Sequence, residues 1–165
     1  MSSKSDLDKI DKNIISLLQK DPEITYSEIA SKVGRSQPAI EKRIKKLERY
    51  GFLSYQTGLN IRTSDFIYLK IELNTKNPDK ILKKAKKCPF MTVAFKVSGE
   101  NDVIIIAYGE DLRSLTNLIY DHFKDDKDVI SISLEIILDV NKDLVLPIEL
   151  DIAKCKYIKK DEQNS

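Results

Sequence analysis

The chain has 165 residues, 41% of them hydrophobic and 33% charged, with a formal net charge of +2. That length suits one compact domain or two small ones, with a core that must be mainly aliphatic because there is no Trp. The polar start carries no signal-peptide pattern, and the longest apolar run, residues 103–107, is far short of the ~20 residues that span a bilayer, so the chain reads as soluble and cytoplasmic, with no membrane partner. Cys88 and Cys155 lie far apart without metal-ligand spacing, and His122 is the only histidine, which argues against a disulfide framework and against His-rich zinc sites. No metal and no cofactor is expected, and the cysteines read as small packing residues or free thiols.

The charge is unevenly placed. Residues 1–63 hold twelve Lys/Arg against eight Asp/Glu, a balance of +4, while residues 64–165 hold sixteen against eighteen, a balance of −2. Residues 34–51 alone carry six basic and two acidic side chains. A basic excess gathered into one short segment points to a polyanion contact rather than to general solubility.

In chain order, Leu7, Ile10, Ile14, Leu17 and Leu18 fall on one helical face, which predicts a helix over 7–19. Ser5 or Asp6 is the expected cap, and Asp8 and Asp11 suit the positive end of its dipole. Asp21-Pro22 stops it. A second helix is expected over 26–33, with Thr25 and Glu28 forming a capping box, Ile29, Ala30 and Val33 facing inward, and Gly34 just past the end. A third follows at once, with Ser36 as N-cap, Pro38 in the first turn, and Ile40, Ile44 and Leu47 as its apolar stripe. Gly51 ends it, and residues 52–60 read as a short hairpin or extended wing.

From Phe66 the pattern changes. Strands are expected over 66–73, 92–97, 102–108 and 129–140, with helices over 78–87 and 111–123 and an edge strand over 144–148, where Pro147 excludes a central position. Ile81, Leu82 and Ala85 should face inward from the first of these helices, and Leu112, Leu115, Leu118, Ile119 and Phe123 from the second. Ser98-Gly99-Glu100-Asn101 reads as a turn. The fold class is α+β: a winged helix-turn-helix followed by a ferredoxin-like βαββαβ domain. The expected domains are residues 1–63, the helical unit with its linker, residues 64–153, the α+β unit, and a polar tail over 154–165.

The segment 27–52 is the strongest local signal. Two helices packed through Ile29, Ala30, Val33, Ile40 and Ile44 leave the start of the third free to enter a major groove. Arg35, Ser36, Gln37 and Ala39 sit where a recognition helix begins. Gln37 can pair with adenine, and Arg35 can reach guanine or a phosphate. Lys42, Arg43, Lys45 and Lys46 lie further along and are assigned to phosphates. Glu41 would repel phosphate, so it should face a base, water or a basic side chain.

These motifs, in this order and at these separations, resemble the Lrp/AsnC (feast/famine) family of transcription regulators. The resemblance runs from about Leu7 to Leu150 and rests on Leu7-Asp8-x-x-Asp11-x-x-Ile14-x-x-Leu17-Leu18, Ile29-Ala30-x-x-Val33-Gly34-x-Ser36, Arg43-Ile44-Lys45-Lys46-Leu47-Glu48-x-x-Gly51-Phe52 and Val97-Ser98-Gly99-x-x-Asp102. It implies a homodimer, or an oligomer built from dimers, that joins through a C-terminal RAM domain and binds pseudo-palindromic double-stranded DNA. It also implies a small amino-acid-like effector near Gly99, Glu100, Asn101 and Asp102. Two departures bear on that site. Glu100-Asn101 replaces the family's frequent Asp-Tyr, and Ile132 and Leu134 align where Thr side chains are frequent, so neither can hydrogen-bond a charged effector.

Two other readings are weighed. Some proteins resembling this family are sirohaem decarboxylases, which use His and Arg on an acidic macrocycle. Here His122, between acidic neighbours at a helix end, reads as a surface residue, and no catalytic triad or phosphate cradle is present, so the chain reads as a non-enzyme. A ligand-sensing assembly module without DNA binding would show an eroded third helix, whereas Lys42, Arg43, Lys45, Lys46 and Arg49 are present.

Overall fold

Helix ends in the first part of the chain are set by local hydrogen bonds. The computed structural model describes residues 7–149, and the chain divides into two compact units between Tyr55 and Gln56. Ser5, Asp6, Cys155 and the polar tail, on which sequence expectations fall, lie outside the described residues. In the first unit, α1 (Lys9–Lys20) is capped by Asp8, whose carboxylate accepts from the Asp11 N–H while the Asp11 side chain reaches back to the Asp8 N–H. This is a capping box with Asp in place of the usual Glu. The α2 helix (Tyr26–Val33) has the expected Thr25–Glu28 box, and Gly34 follows at φ 66°, a left-handed conformation that a β-carbon would strain.

The α3 helix (Gln37–Arg49) begins with Ser36 in the N-cap position, although its hydroxyl makes no capping bond, and Pro38 lies in the first turn. It closes in a Schellman arrangement, with the Phe52 N–H on the Leu47 carbonyl and the Gly51 N–H on the Glu48 carbonyl. Ile14, Ile29, Ile40 and Ile44 are fully buried and form the centre of this unit, with Leu18, Ala30 and Leu47 around them.

No hairpin forms over residues 52–58. The strand residues that follow, β1 (Leu59–Asn60), pair instead with β6 (Val145–Leu146), which satisfies their backbone groups from a distant part of the chain. A β-carbon on Gly58 would lie 2.0 Å from the Leu146 carbonyl oxygen, so only glycine lets the two backbones approach here.

In the second unit the expected βαββαβ order is realised as β2 (Ile67–Thr75), α4 (Pro78–Ala85), β3 (Met91–Lys96), β4 (Val103–Gly109), α5 (Leu112–Phe123) and β5 (Val129–Ile136). The sheet order is β3-β4-β2-β5, and every pairing is antiparallel. Alternation along the strands sorts the two faces. Leu69, Ile71, Leu73, Val103, Ile105 and Ala107 are buried with Ile81 and Ala85 of α4 and Leu115, Leu118, Ile119 and Phe123 of α5. Lys70, Glu72, Ile104, Ile106 and Phe95 occupy the other face, where Lys70 bonds Glu135 across the strands at 2.7 Å and Glu72 at 3.2 Å.

Several boundaries differ from the sequence pattern. The β5 strand stops at Ile136, and Leu138 is 90% exposed, so the apolar run of 129–140 overstates the strand. Leu112 is exposed because it occupies the first position after the Asp111 cap, before the inner face begins. The edge strand near Pro147 is only two residues long and belongs to the separate ribbon with β1.

One end of the sheet is closed by Tyr108. Its ring packs among Phe66, Tyr68 and Phe90, and its hydroxyl meets the Glu149 carbonyl at 2.7 Å and the Pro89 carbonyl at 3.3 Å. Burial raises the phenol to about 12, so it stays a neutral donor.

The α4 helix is tied to the α5–β5 loop by a buried carboxylate. Asp126 accepts from Lys80 at 2.7 Å and Lys84 at 2.6 Å, and Lys80 also bonds Asp128 at 2.7 Å. The two ammonium groups hold the Asp126 carboxyl far below the usual range. His122, expected at the surface, is instead 3% exposed on the inner side of α5, with Nδ1 2.8 Å from the Leu118 carbonyl. The flanking aspartates conceal a helix phase that aligns it with Leu115, Leu118 and Ile119. Burial lowers its pKa, Lys84 acts in the same direction, and the Leu118 carbonyl and Asp121 oppose both.

Because the folded state holds His122 neutral, the unfolded chain takes up a proton first as pH falls. Stability to urea should therefore decline below about pH 6.5, the ordinary imidazole value. It should decline again below about pH 3.8, the ordinary carboxyl value, as Asp126 resists protonation in the fold but not in the unfolded chain. A urea series across pH should show both steps, and His122→Leu should remove only the first.

Candidate nucleic-acid interface

The exposed part of α3 is the functional candidate in the first unit. Ile40, Ile44 and Leu47 point into the core, which turns Gln37, Lys42, Lys45 and Lys46 outward. Arg35 and Ser36, in the bend between α2 and α3, are exposed with Gln37, while Ala39 is half-buried. The Arg35 guanidinium rests on the Gly34 carbonyl at 3.0 Å. Of the three outward lysines, Lys45 is engaged one turn back by Glu41 at 2.6 Å, and that bond raises its pKa. Glu41 thus meets a basic side chain, one of the environments its charge calls for. Lys42 and Lys46 make no ion pair among the described residues.

Arg43 differs from its neighbours. Its Nη1 donates to Asp8 Oδ2 and to Asp11 Oδ1, both at 2.7 Å, so the guanidinium joins the middle of α3 to the cap of α1. Asp11 is 7% exposed and Arg43 is half-buried. The bond to Asp8 is the main reason that the Arg43 pKa is raised, with Asp11 next, and the cap together with Arg43 lowers Asp8. Charge and register alone group Arg43 with the phosphate-holding lysines, because they do not show partners more than thirty positions away. The Asp8-x-x-Asp11 box is the one signal in the sequence, since a buried carboxylate on α1 calls for a cation.

In the second unit, the turn that holds Gly99, Glu100, Asn101 and Asp102 is fastened to the end of β2. The Asp102 carboxylate accepts from the Thr75 N–H at 2.7 Å, its N–H donates to the Leu73 carbonyl, and Asn74 donates to the Glu100 carbonyl at 3.3 Å. Gly99 has φ 147° with open space beside it, so its conformation, not crowding, requires glycine. Thr75 and Asn74 do not stand out in the sequence; they mark where the β2–β5 register shifts. Ile132 and Leu134 face the core side, and Ser131 and Ser133 the opposite side. No group of three or more His, Cys, Asp or Glu among the described residues is arranged to hold a metal ion, and no helix among them is long and apolar enough to cross a membrane.

A helix-turn-helix with a basic second helix, followed by an antiparallel α+β unit, defines a DNA-binding regulator with an appended ligand-binding or assembly domain. Comparison with known proteins agrees. Residues 7–54 match the family model described as winged helix-turn-helix DNA-binding, and residues 66–145 match the Lrp/AsnC ligand binding domain. The chain is 31% identical over 121 residues to the leucine-responsive regulatory protein of Escherichia coli, covering 69% of this chain and 74% of that one. It is 28% identical over 117 residues to the transcriptional regulator LrpA of Pyrococcus horikoshii, covering 68% and 83%. A transcriptional regulator of Neisseria meningitidis, solved as a complex with L-methionine, superposes with a TM-score of 0.69 at 22% identity, over 83% of this chain and 93% of that one. The chain belongs to the Lrp/AsnC family and is a DNA-binding transcription regulator.

Removing the Arg43 charge leaves the buried Asp11 carboxylate without its cation. Arg43→Gln should lower the stability of the first unit by about 1–3 kcal/mol, whereas Lys46→Gln, on the open face, should change it by no more than about 0.5 kcal/mol. Urea denaturation followed by far-ultraviolet dichroism checks the contrast.

Proposed function

We propose that α3 enters the major groove of a pseudo-palindromic duplex, and that the protein regulates transcription by occupying that site as a dimer or a dimer-based oligomer, without catalytic turnover. The observation that carries this reading is the division of α3 into a buried aliphatic stripe and an open face bearing Gln37, Lys42, Lys45 and Lys46. Arg35, Ser36, Gln37 and Ala39 are assigned to the base edges, and Lys42, Lys45 and Lys46 to phosphates. Arg43 supports the helix from behind. Two copies related by a two-fold axis would read half-sites about one turn apart, near 10 bp, or a multiple of it.

The sheet face away from α4 and α5 supports the assembly part of the proposal. Val93, Phe95, Ile104 and Ile106 form an incompletely covered apolar patch there, and Phe95 is 49% exposed. A second copy of this chain is the proposed cover. We place an amino-acid-like effector at the Gly99–Asp102 turn, as the match to a ligand binding domain and the L-methionine complex of the Neisseria regulator suggest. Asp102 and Thr75 already bond one another, so the effector's polar groups would be met by Glu100, Asn101 and the backbone.

The test is duplex binding against salt. Replacing Lys42, Lys45 and Lys46 with Ala should weaken binding to all sequences and flatten the log–log salt slope by about 0.9 for each phosphate no longer neutralised. Gln37→Ala should leave the slope and blur preference at one base step in selection from random DNA. Unchanged slope and unchanged preference together would remove α3 from the interface.

A further inference from the structure

The second unit carries a lysine cluster that regulation through α3 does not use. Between Lys76 and Lys87, both included, there are six lysines and one acidic residue, Asp79. The fold divides them. Lys80 and Lys84 are drawn down onto Asp126 and Asp128, and Asp79 is taken by Lys96 at 3.2 Å. Lys76, Lys83, Lys86 and Lys87 are exposed and make no ion pair among the described residues. Lys83, Lys86 and Lys87 fall at i, i+3 and i+4 around the end of α4, so they share one side of it. Asp79, Asp126 and Asp128 are thus already engaged by Lys96, Lys80 and Lys84 and are not paired with the four open lysines.

We infer that α4, with Lys83, Lys86 and Lys87 at its C-terminal end and Lys76 just before its N-terminus, is a second contact surface for the phosphate backbone of duplex DNA, separate from α3. Two further features favour a nucleic-acid backbone over an acidic protein. No apolar side chain is exposed beside these lysines: Ile81, Ala85, Cys88 and Phe90 are buried and Leu82 and Pro89 half-buried, which leaves little aromatic or aliphatic anchor for a protein partner. Lysine is a mobile point charge, suited to phosphates at variable spacing and poor at reading bases. Lys83 and Lys87 are about 6 Å apart along the axis at helical rise, and a duplex presents one charge per ~1.7 Å of its axis, so several phosphates lie within reach. The surface adds sequence-independent affinity to a protein whose specificity resides elsewhere, and in that sense the inference rests on the α3 reading.

The test uses the full chain and a long random-sequence duplex. The salt slope of binding is measured for the parent, for a variant with Lys76, Lys83, Lys86 and Lys87 changed to Gln, and for the same four positions changed to Arg. The Gln variant should have a slope shallower by about 2–4, and the Arg variant should restore it. An equal slope in parent and Gln variant overturns the proposal, because these lysines would then be merely solvated. Retention on immobilised polyglutamate that falls in the Gln variant while duplex binding does not also overturns it, in favour of an acidic polypeptide. Adding the Gln changes to a chain already lacking Lys42, Lys45 and Lys46 should abolish residual duplex binding. Duplex binding that survives removal of the α3 lysines but not of the α4 lysines sinks the α3 reading and leaves this one standing.

Discussion

Arg43 separates two uses of positive charge on a single helix. Both of its bonds run inward, to the carboxylates that cap α1, so one guanidinium fixes α3 against α1 and satisfies Asp11, which the core would otherwise leave without a cation. The lysines on either side keep solvent-facing ammonium groups. A recognition helix that binds a polyanion needs both functions: charge directed outward, and an attachment that mutual repulsion among those charges does not loosen. Aliphatic packing through Ile40, Ile44 and Leu47 sets which face of the helix points outward, and the hydrogen bonds from Nη1 to two carboxylates add a directional tie to α1.

The second unit handles charge in a parallel way. Asp126 is almost completely removed from solvent and is kept ionised by Lys80 and Lys84, so a loop and a helix are joined by an interaction whose loss would strand a buried charge. This connection leaves the sheet free to present its other face. The aliphatic row and the Lys70–Glu135–Glu72 group on that face are half-buried at most, a surface composition in keeping with an interface between subunits.

Much of this is legible in the sequence, for identifiable reasons. The α2–α3 bend can be read to the residue because Thr25, Glu28, Gly34 and Pro38 each have a narrow set of permitted backbone roles. The βαββαβ order is legible because hydrophobic periodicity changes sharply at Phe66, Pro78 and Asp111. What stays hidden depends on contacts distant in sequence. Asp8 reads only as a favourable charge near a helix start when the cap is placed two or three residues too early, and with the cap misplaced its partnership with Arg43 cannot be seen. His122 reads as exposed from its acidic neighbours, whereas its burial follows from the phase of α5. The pairing of Leu59–Asn60 with Val145–Leu146 leaves almost no pattern in two-residue strands, and Gly58, which permits it, resembles any loop glycine.

The proposed mode of recognition requires the outer side of α3 to lie against the duplex. Site-directed photo-cross-linking measures it directly, with a photoreactive side chain placed in turn at Gln37, Lys42, Lys46 and Ile44 of the full chain bound to duplex DNA. Cross-links to DNA are expected from positions 37, 42 and 46 and none from 44. Cross-links of equal yield from all four, or none from the three outward positions while the protein stays bound, would contradict this orientation of the helix.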